Sequence, residues 1–194
     1  MKSPAQSWLQ TFMLTVKTHD ASSKLRVAAE SGELKPWTEA PTAIVVSTFP
    51  SMGWHGAARK HRSALLQVPR SEYLNLDVVA FETAGDRRWR FPVGVFELEN
   101  SPVDNIVAYA LWKVLCVRAS LRVVFCYRRN ADEGAELVRH LANEVVQAME
   151  IQTRTGLTGE TLLVVGTRSE TATFPYGFFK DWTLDANTSR FRRN

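Results

Sequence analysis

Residues 73–82 read YLNLDVVAFE and residues 88–99 read RWRFPVGVFELE. Both stretches alternate or run apolar over strand-like lengths, and Ala84-Gly85-Asp86 supplies a turn between them. Asp77 lies inside the first stretch; Glu97 and Glu99 close the second. Adjacent antiparallel strands joined by a hairpin bring such carboxylates side by side. Glu97 and Glu99 are two residues apart, so they share a face with Val93 and Val95. A carboxylate packed among valines is costly to desolvate unless a cation or a donor compensates it, so acids ending a Val-lined face point to a site. The simpler alternative has Asp77 and Glu99 in solvent and only Glu97 half-buried.

Working outward, residues 63–70 (SALLQVPR) have the same strand-like character, which makes an antiparallel three-strand meander. A helix follows, with Ser101 as cap, Pro102 at its first position and Asp104 three residues after the cap. Its apolar positions Ile106, Val107, Ala110, Leu111, Val114 and Leu115 continue to about Val117. Leu121–Tyr127 then reads as a buried strand, and Asn130 caps a further helix whose face is Leu137, Leu141, Val145 and Met149. Thr161–Val165 is another buried strand. Phe178–Leu184 adds an edge strand before a basic tail.

Upstream, Trp8, Leu9, Phe12, Met13 and Val16 fall at helical spacing after Pro4, and a second helix spans Ser23–Glu30, stopped by Gly32. Pro36–Trp54 is read as helical. Gly53, Gly56 and Gly177 are read as turn or cap residues. Residues 1–53 thus form a helical lead-in packed on a core of 54–194, one domain overall. At 194 residues, with 45% hydrophobic residues, such a chain buries a sizeable core without staples. Six Trp and ten Phe argue against disorder.

The net charge of +4 is concentrated in short clusters: Arg59-Lys60-His61-Arg62, Arg87-Arg88 with Arg90, Arg128-Arg129, and Arg190 with Arg192-Arg193. Guanidinium clusters suit a polyanion, and equally a solvated surface. Cys116 and Cys126 read as buried free thiols, which implies a reducing, cytoplasmic setting. No apolar run approaches the ~20 residues a membrane helix needs. The four histidines lack a zinc-like spacing, and phosphate-binding glycine loops and nucleophile elbows are missing. Phe174-Pro175-Tyr176-Gly177-Phe178-Phe179 with Trp182 suits either base stacking or a core contact.

Three strands, a helix and a strand, with acids on the second and third strands, resemble the PD-(D/E)XK nuclease superfamily over roughly residues 54–165. The resemblance implies an α/β fold with a restriction endonuclease-like core: a mixed sheet of an antiparallel meander plus a crossover helix and further strands, with helices on both faces. In that family an Asp on the second strand and a Glu/Asp-x-Lys on the third hold a divalent metal and position a water. Asp77 matches the Asp, Glu97 the first third-strand acid, and Glu99 falls where lysine is usual. A carboxylate there would act as a base or acceptor rather than a cation. Lys113, on the next helix, could replace the missing charge; its alternative is to stretch its stem over apolar neighbours. The segment before the meander, WHGAARKHRSALL, lacks the acid often found there, and the nearest is Glu72.

The resemblance therefore implies a magnesium- or manganese-dependent endonuclease acting on DNA, a restriction, defence or mobile-element protein. Asp77 and Glu97 would hold the metal, Glu99 and Lys113 would assist, and Lys60 and Arg62 would meet phosphates. Its expected partners are nucleic acid, no membrane, and a second copy or a larger defence complex. The competing expectation is a catalytically inactive, nuclease-like subunit that binds nucleic acid or serves in assembly.

Overall fold

A computed structural model describes residues 2–31, 34–61, 66–68, 70, 72–84 and 89–194. Three helices lead: α1 (Pro4–Val16), α2 (His19–Ser31) and α3 (Leu34–Thr48). Ser3 caps α1 in a reciprocal box with Gln6, so two otherwise orphaned N–H groups are satisfied. The i, i+4, i+8 stripe of Trp8, Phe12 and Val16 is entirely buried. Trp8 stacks on Phe12 at 5.2 Å, abuts Phe96 and Phe125, and donates from Nε1 to Thr48 Oγ1 at 3.0 Å. The polar tip of this indole is therefore satisfied inside the core.

Among the described residues, seven strands form one sheet in sequence order: β1 (Trp54–Ala58), β2 (Val78–Glu82), β3 (Gly94–Leu98), β4 (Leu121–Arg128), β5 (Glu160–Thr167), β6 (Phe179–Asp185) and β7 (Arg190–Arg193). β1, β2 and β3 pair antiparallel, β3, β4 and β5 parallel, and β5, β6 and β7 antiparallel again. The two parallel steps need crossovers, supplied by α4 (Asp104–Leu115) and by α5 (Ala131–Leu141) with the shorter α6 (Ile151–Thr155). Strand alternation divides the core in two. Val78, Ala80, Phe96, Leu98, Val123 and Phe125 face α1–α3. Val79, Phe81, Val95, Val124 and Cys126 face α4 and α5. The fold is α/β: an antiparallel meander, a crossover helix and a parallel strand within one mixed sheet, with helices on both faces.

Several local expectations are corrected. The first meander strand is Trp54–Ala58, not 63–70; residues 66–68 are bends, and 62–65 and 69 lie outside the described residues. Gly56 is accordingly a strand residue rather than a turn. The ring of Phe49 covers it so closely that a Cβ would sit 2.4 Å from a ring carbon. Gly53 does turn the chain, at φ 68°. Gly32 and Gly85-Asp86 lie outside the described residues.

α4 starts at Asp104, two residues later than the Ser101 cap predicts, because Ser101 Oγ instead accepts the N–H of Val103 in a local turn. Ile106 is exposed. Asn130 caps α5 as expected, its side chain accepting the Glu133 N–H. Cys116 is exposed, just past the end of α4, whereas Cys126 is buried and its thiol is pushed up to about 12 by desolvation. The edge strand is β7, formed by the basic tail; β6 lies inside the sheet. Phe174, Phe178, Phe179 and Trp182 are core residues.

Candidate active site

Asp77 immediately precedes β2, and Glu97 lies within β3. Val78 pairs with Phe96, so extending that register by one pair sets Asp77 opposite Glu97. Alternation from Val79 and from Val95 puts both acids on the α4 face. Asp77 Oδ2 accepts the Leu98 N–H at 2.8 Å, which ties the carboxylate to the end of β3. Burial raises the Asp77 pKa, the Leu98 N–H and Lys113 lower it, and the charges of Glu72 and Glu99 raise it further; the net direction is upward.

Glu97 is only 4% exposed. Its Oε2 meets Lys113 Nζ at 2.8 Å, and its buried Oε1 has no hydrogen-bond partner among the described residues. Desolvation lifts the carboxyl to about 7, against the pull of Lys113 and despite the Asp77 backbone N–H, with the Asp77 charge adding to the rise. Lys113 stands in the last turn of α4, one turn after the buried Ala110, so its stem crosses the apolar layer before the ammonium reaches the strand ends. The same ammonium donates to the Asn75 carbonyl at 3.1 Å and lies 5.6 Å from the Tyr109 ring centre.

That carbonyl is offered by an unusual turn. Leu74 and Asn75 are both left-handed, at φ 58° and 55°. Asn tolerates this region; for Leu it costs roughly 1–2 kcal/mol. The Asn was a readable hint, but nothing local in the sequence marks Leu74 as strained.

Glu99 shares the face of Glu97 but lies beyond the strand end, where its Oε1 accepts the Ser101 N–H at 2.7 Å. It lines a cavity of about 1040 Å³ at the C-terminal ends of β3 and β4, together with Arg128, Arg129 and Arg168. Arg128, counted above as surface charge, is buried: it pairs with Asp104 at the start of α4 and donates to the Tyr127 and Ser101 carbonyls. Sequence reading missed this role because the pairing joins the end of β4 to the start of α4, 24 residues earlier.

Lys60, at φ 67° in the turn after β1, is exposed and pairs with Glu39 at 2.7 Å. Ala58 pairs with Val78, so Lys60 lies at the same end of the sheet as Asp77. Arg62 falls outside the described residues. The tertiary structure thus gathers Asp77, Glu97 and Lys113, sets Glu99 just past the end of β3 where its charge acts on Asp77, and leaves Lys60 exposed at the same end of the sheet.

The donor set fits a hard divalent cation in kind: two carboxylates on one face, one with an unpartnered buried oxygen. Among the described residues no three His, Cys, Asp or Glu side chains gather at metal-ligating spacing. Magnesium does not need three, because it keeps several waters and binds through one or two carboxylates. No helix among the described residues is long and apolar enough to cross a membrane.

No family model matches the chain. No curated protein is similar to it in sequence. Among solved structures, the cAAA-bound form of NucC from E. coli MS115-1 is similar at a TM-score of 0.46 and 12% identity, over 100% of this chain and 84% of that one.

Proposed function

We propose that the chain is a metal-dependent endonuclease that hydrolyses DNA phosphodiester bonds at the Asp77–Glu97–Lys113 cluster. The observation that carries this reading is Glu97: a buried strand carboxylate opposite a second carboxylate, with one oxygen on a lysine and the other without a hydrogen-bond partner among the described residues. Stability alone does not favour such an arrangement, since an apolar residue would avoid the desolvation cost.

Asp77 and Glu97 would hold magnesium or manganese, which when bound supplies charge neutralisation at a phosphate and a water of lowered pKa. Asp77 is kept in place by the Leu98 N–H. Lys113 provides from the helix the positive charge that the third strand lacks, and holds Glu97 in orientation through Oε2. Glu99, at the mouth of the adjoining cavity, is the candidate to accept a proton from the attacking water. Lys60 and Arg62 would contact phosphates. A restriction, defence or mobile-element setting, and assembly as a homodimer or larger complex, follow from the family resemblance.

The test is nicking of supercoiled plasmid in magnesium by wild type, Asp77→Ala and Glu97→Ala. The two variants should lose cleavage while keeping a cooperative melt; cleavage retained in both rejects the assignment.

One observation favours a second reading, in which the chain is an inactive nuclease-like subunit that binds nucleic acid. Lys113 already neutralises Glu97, and Glu99 stands where a lysine is usual. That protein would bind DNA in a salt-sensitive way, with no metal-dependent turnover and no metal effect on its melting temperature.

A further inference from the structure

On the outer face of α4, Tyr109 and Trp112 are each 54% exposed, and their rings lie 5.8 Å apart at only 17°. The two rings stack on each other, so each presents only its outer face to a further flat ligand. They wall a groove of about 490 Å³ whose opposite side is the strained Leu74–Asn75 turn and Phe91. Phe91 is 85% exposed. Lys113 and Arg118 line the groove, and among the described residues no carboxylate does. Arg118 is exposed and makes no ion pair among the described residues. Lys113, which lines the groove, pairs with Glu97 behind it.

Apolar faces alone would suit many partners. A stacked aromatic pair with an exposed outer face, and Arg118, a guanidinium without an ion pair among the described residues, together suit a ligand that carries both π faces and phosphates. Stacking of a base on an aromatic side chain is tolerant of sequence, and a neighbouring guanidinium takes the backbone charge. A base within an intact duplex has both faces covered by its neighbours and cannot lie on such a platform.

We infer that this groove is a binding site for an unpaired base of a nucleic-acid strand, which continues the Tyr109–Trp112 stack on the outer face of Trp112 and places its flanking phosphate at Arg118. Resting on the nuclease reading, this makes the substrate class single-stranded or locally unpaired nucleic acid. The Leu74–Asn75 turn has a role in this arrangement, since it forms one wall of the groove while its carbonyl orients Lys113.

The experiment measures fluorescence anisotropy of a labelled single-stranded oligothymidylate and of an abasic strand of equal length, in chelator so that no cleavage occurs. Trp112→Ala should weaken the thymidylate about five- to 150-fold and leave the abasic strand nearly unchanged. Trp112→Phe should restore most of the loss, which a folding defect would not allow. Arg118→Ala should weaken both strands and flatten the salt dependence. In the same mixtures the thymidylate should shield Cys116, which lines the groove, from a maleimide; Cys126 is buried.

Equal affinity of wild type and Trp112→Ala for thymidylate overturns the inference. So does a sedimentation change from dimer to monomer in Trp112→Ala with strand affinity intact, which would make the face a contact between copies. The two readings fail separately. Trp112-dependent binding without any magnesium-dependent cleavage refutes the nuclease alone, whereas duplex cleavage indifferent to Trp112→Ala refutes the groove alone.

Discussion

Glu97→Gln should uncouple stability from pH in a way that can be calculated. The Glu97 carboxyl is raised from 4.5 to about 7 by burial, so the folded protein holds this proton more tightly than the unfolded chain does. Stability from the group is then complete below about pH 4.5 and is lost as pH rises through about 7. A separation of about 2.5 units corresponds to about 3 kcal/mol. Glutamine keeps the shape and cannot ionise, so Glu97→Gln should lack this slope. Asp77, also raised, adds a slope of the same sign to both proteins. Urea denaturation in chelator at half-unit steps from pH 4.5 to 8.5 gives both curves. The variant's stability relative to wild type should climb by about 3 kcal/mol between pH 4.5 and 8, then level off. Parallel curves, or a difference that shrinks as pH rises, would show that Glu97 is not a desolvated carboxylate.

Other expectations concern its neighbours. Lys113→Met should lose no more than about 1–2 kcal/mol at pH 8 and little at pH 5, because protonation of Glu97 relieves the unpaired charge; a pH-independent loss in denaturation would contradict the pairing. If Glu97 holds magnesium, affinity measured by calorimetry should fall about tenfold per unit below pH 7 and flatten above it, since the cation must displace the proton. Gly56→Ala should destabilise by about 1–3 kcal/mol in urea melts, because its methyl would enter the Phe49 ring, which has no free space to move into; a neutral result would mean that the ring can leave Gly56.

How far the sequence is legible follows from the range of the forces involved. Period-two alternation put Val95 and Glu97 on one face correctly, because a strand's pleat leaves no other choice, whereas Val93, expected on that face, lies before β3 begins and packs on the opposite one. Helical spacing found the Trp8–Phe12–Val16 stripe for the same reason. The first meander strand was misread because residues 63–70 look more like a strand than WHGAA does, whereas WHGAA becomes one only through pairing with β2 and through Phe49 filling the space over Gly56. The Ser101 cap failed because its hydroxyl had a nearer N–H to accept. Cys116 is apolar in pattern yet ends outside, since the stripe it extends leaves the core with the last turn of α4.

The acids themselves, their spacing and the lysine three residues after Ala110 are all in the sequence, as is the alternation that turns Asp77 and Glu97 the same way. Which cation Glu97 meets is a tertiary matter. α4 crosses the ends of β2 and β3, and only that crossing brings an ammonium 38 residues along the chain onto the Asn75 carbonyl and within 2.8 Å of Glu97. Local periodicity fixes the direction in which a side chain points. What stands opposite it depends on packing between elements distant in sequence, and desolvation there sets the charge state of Glu97.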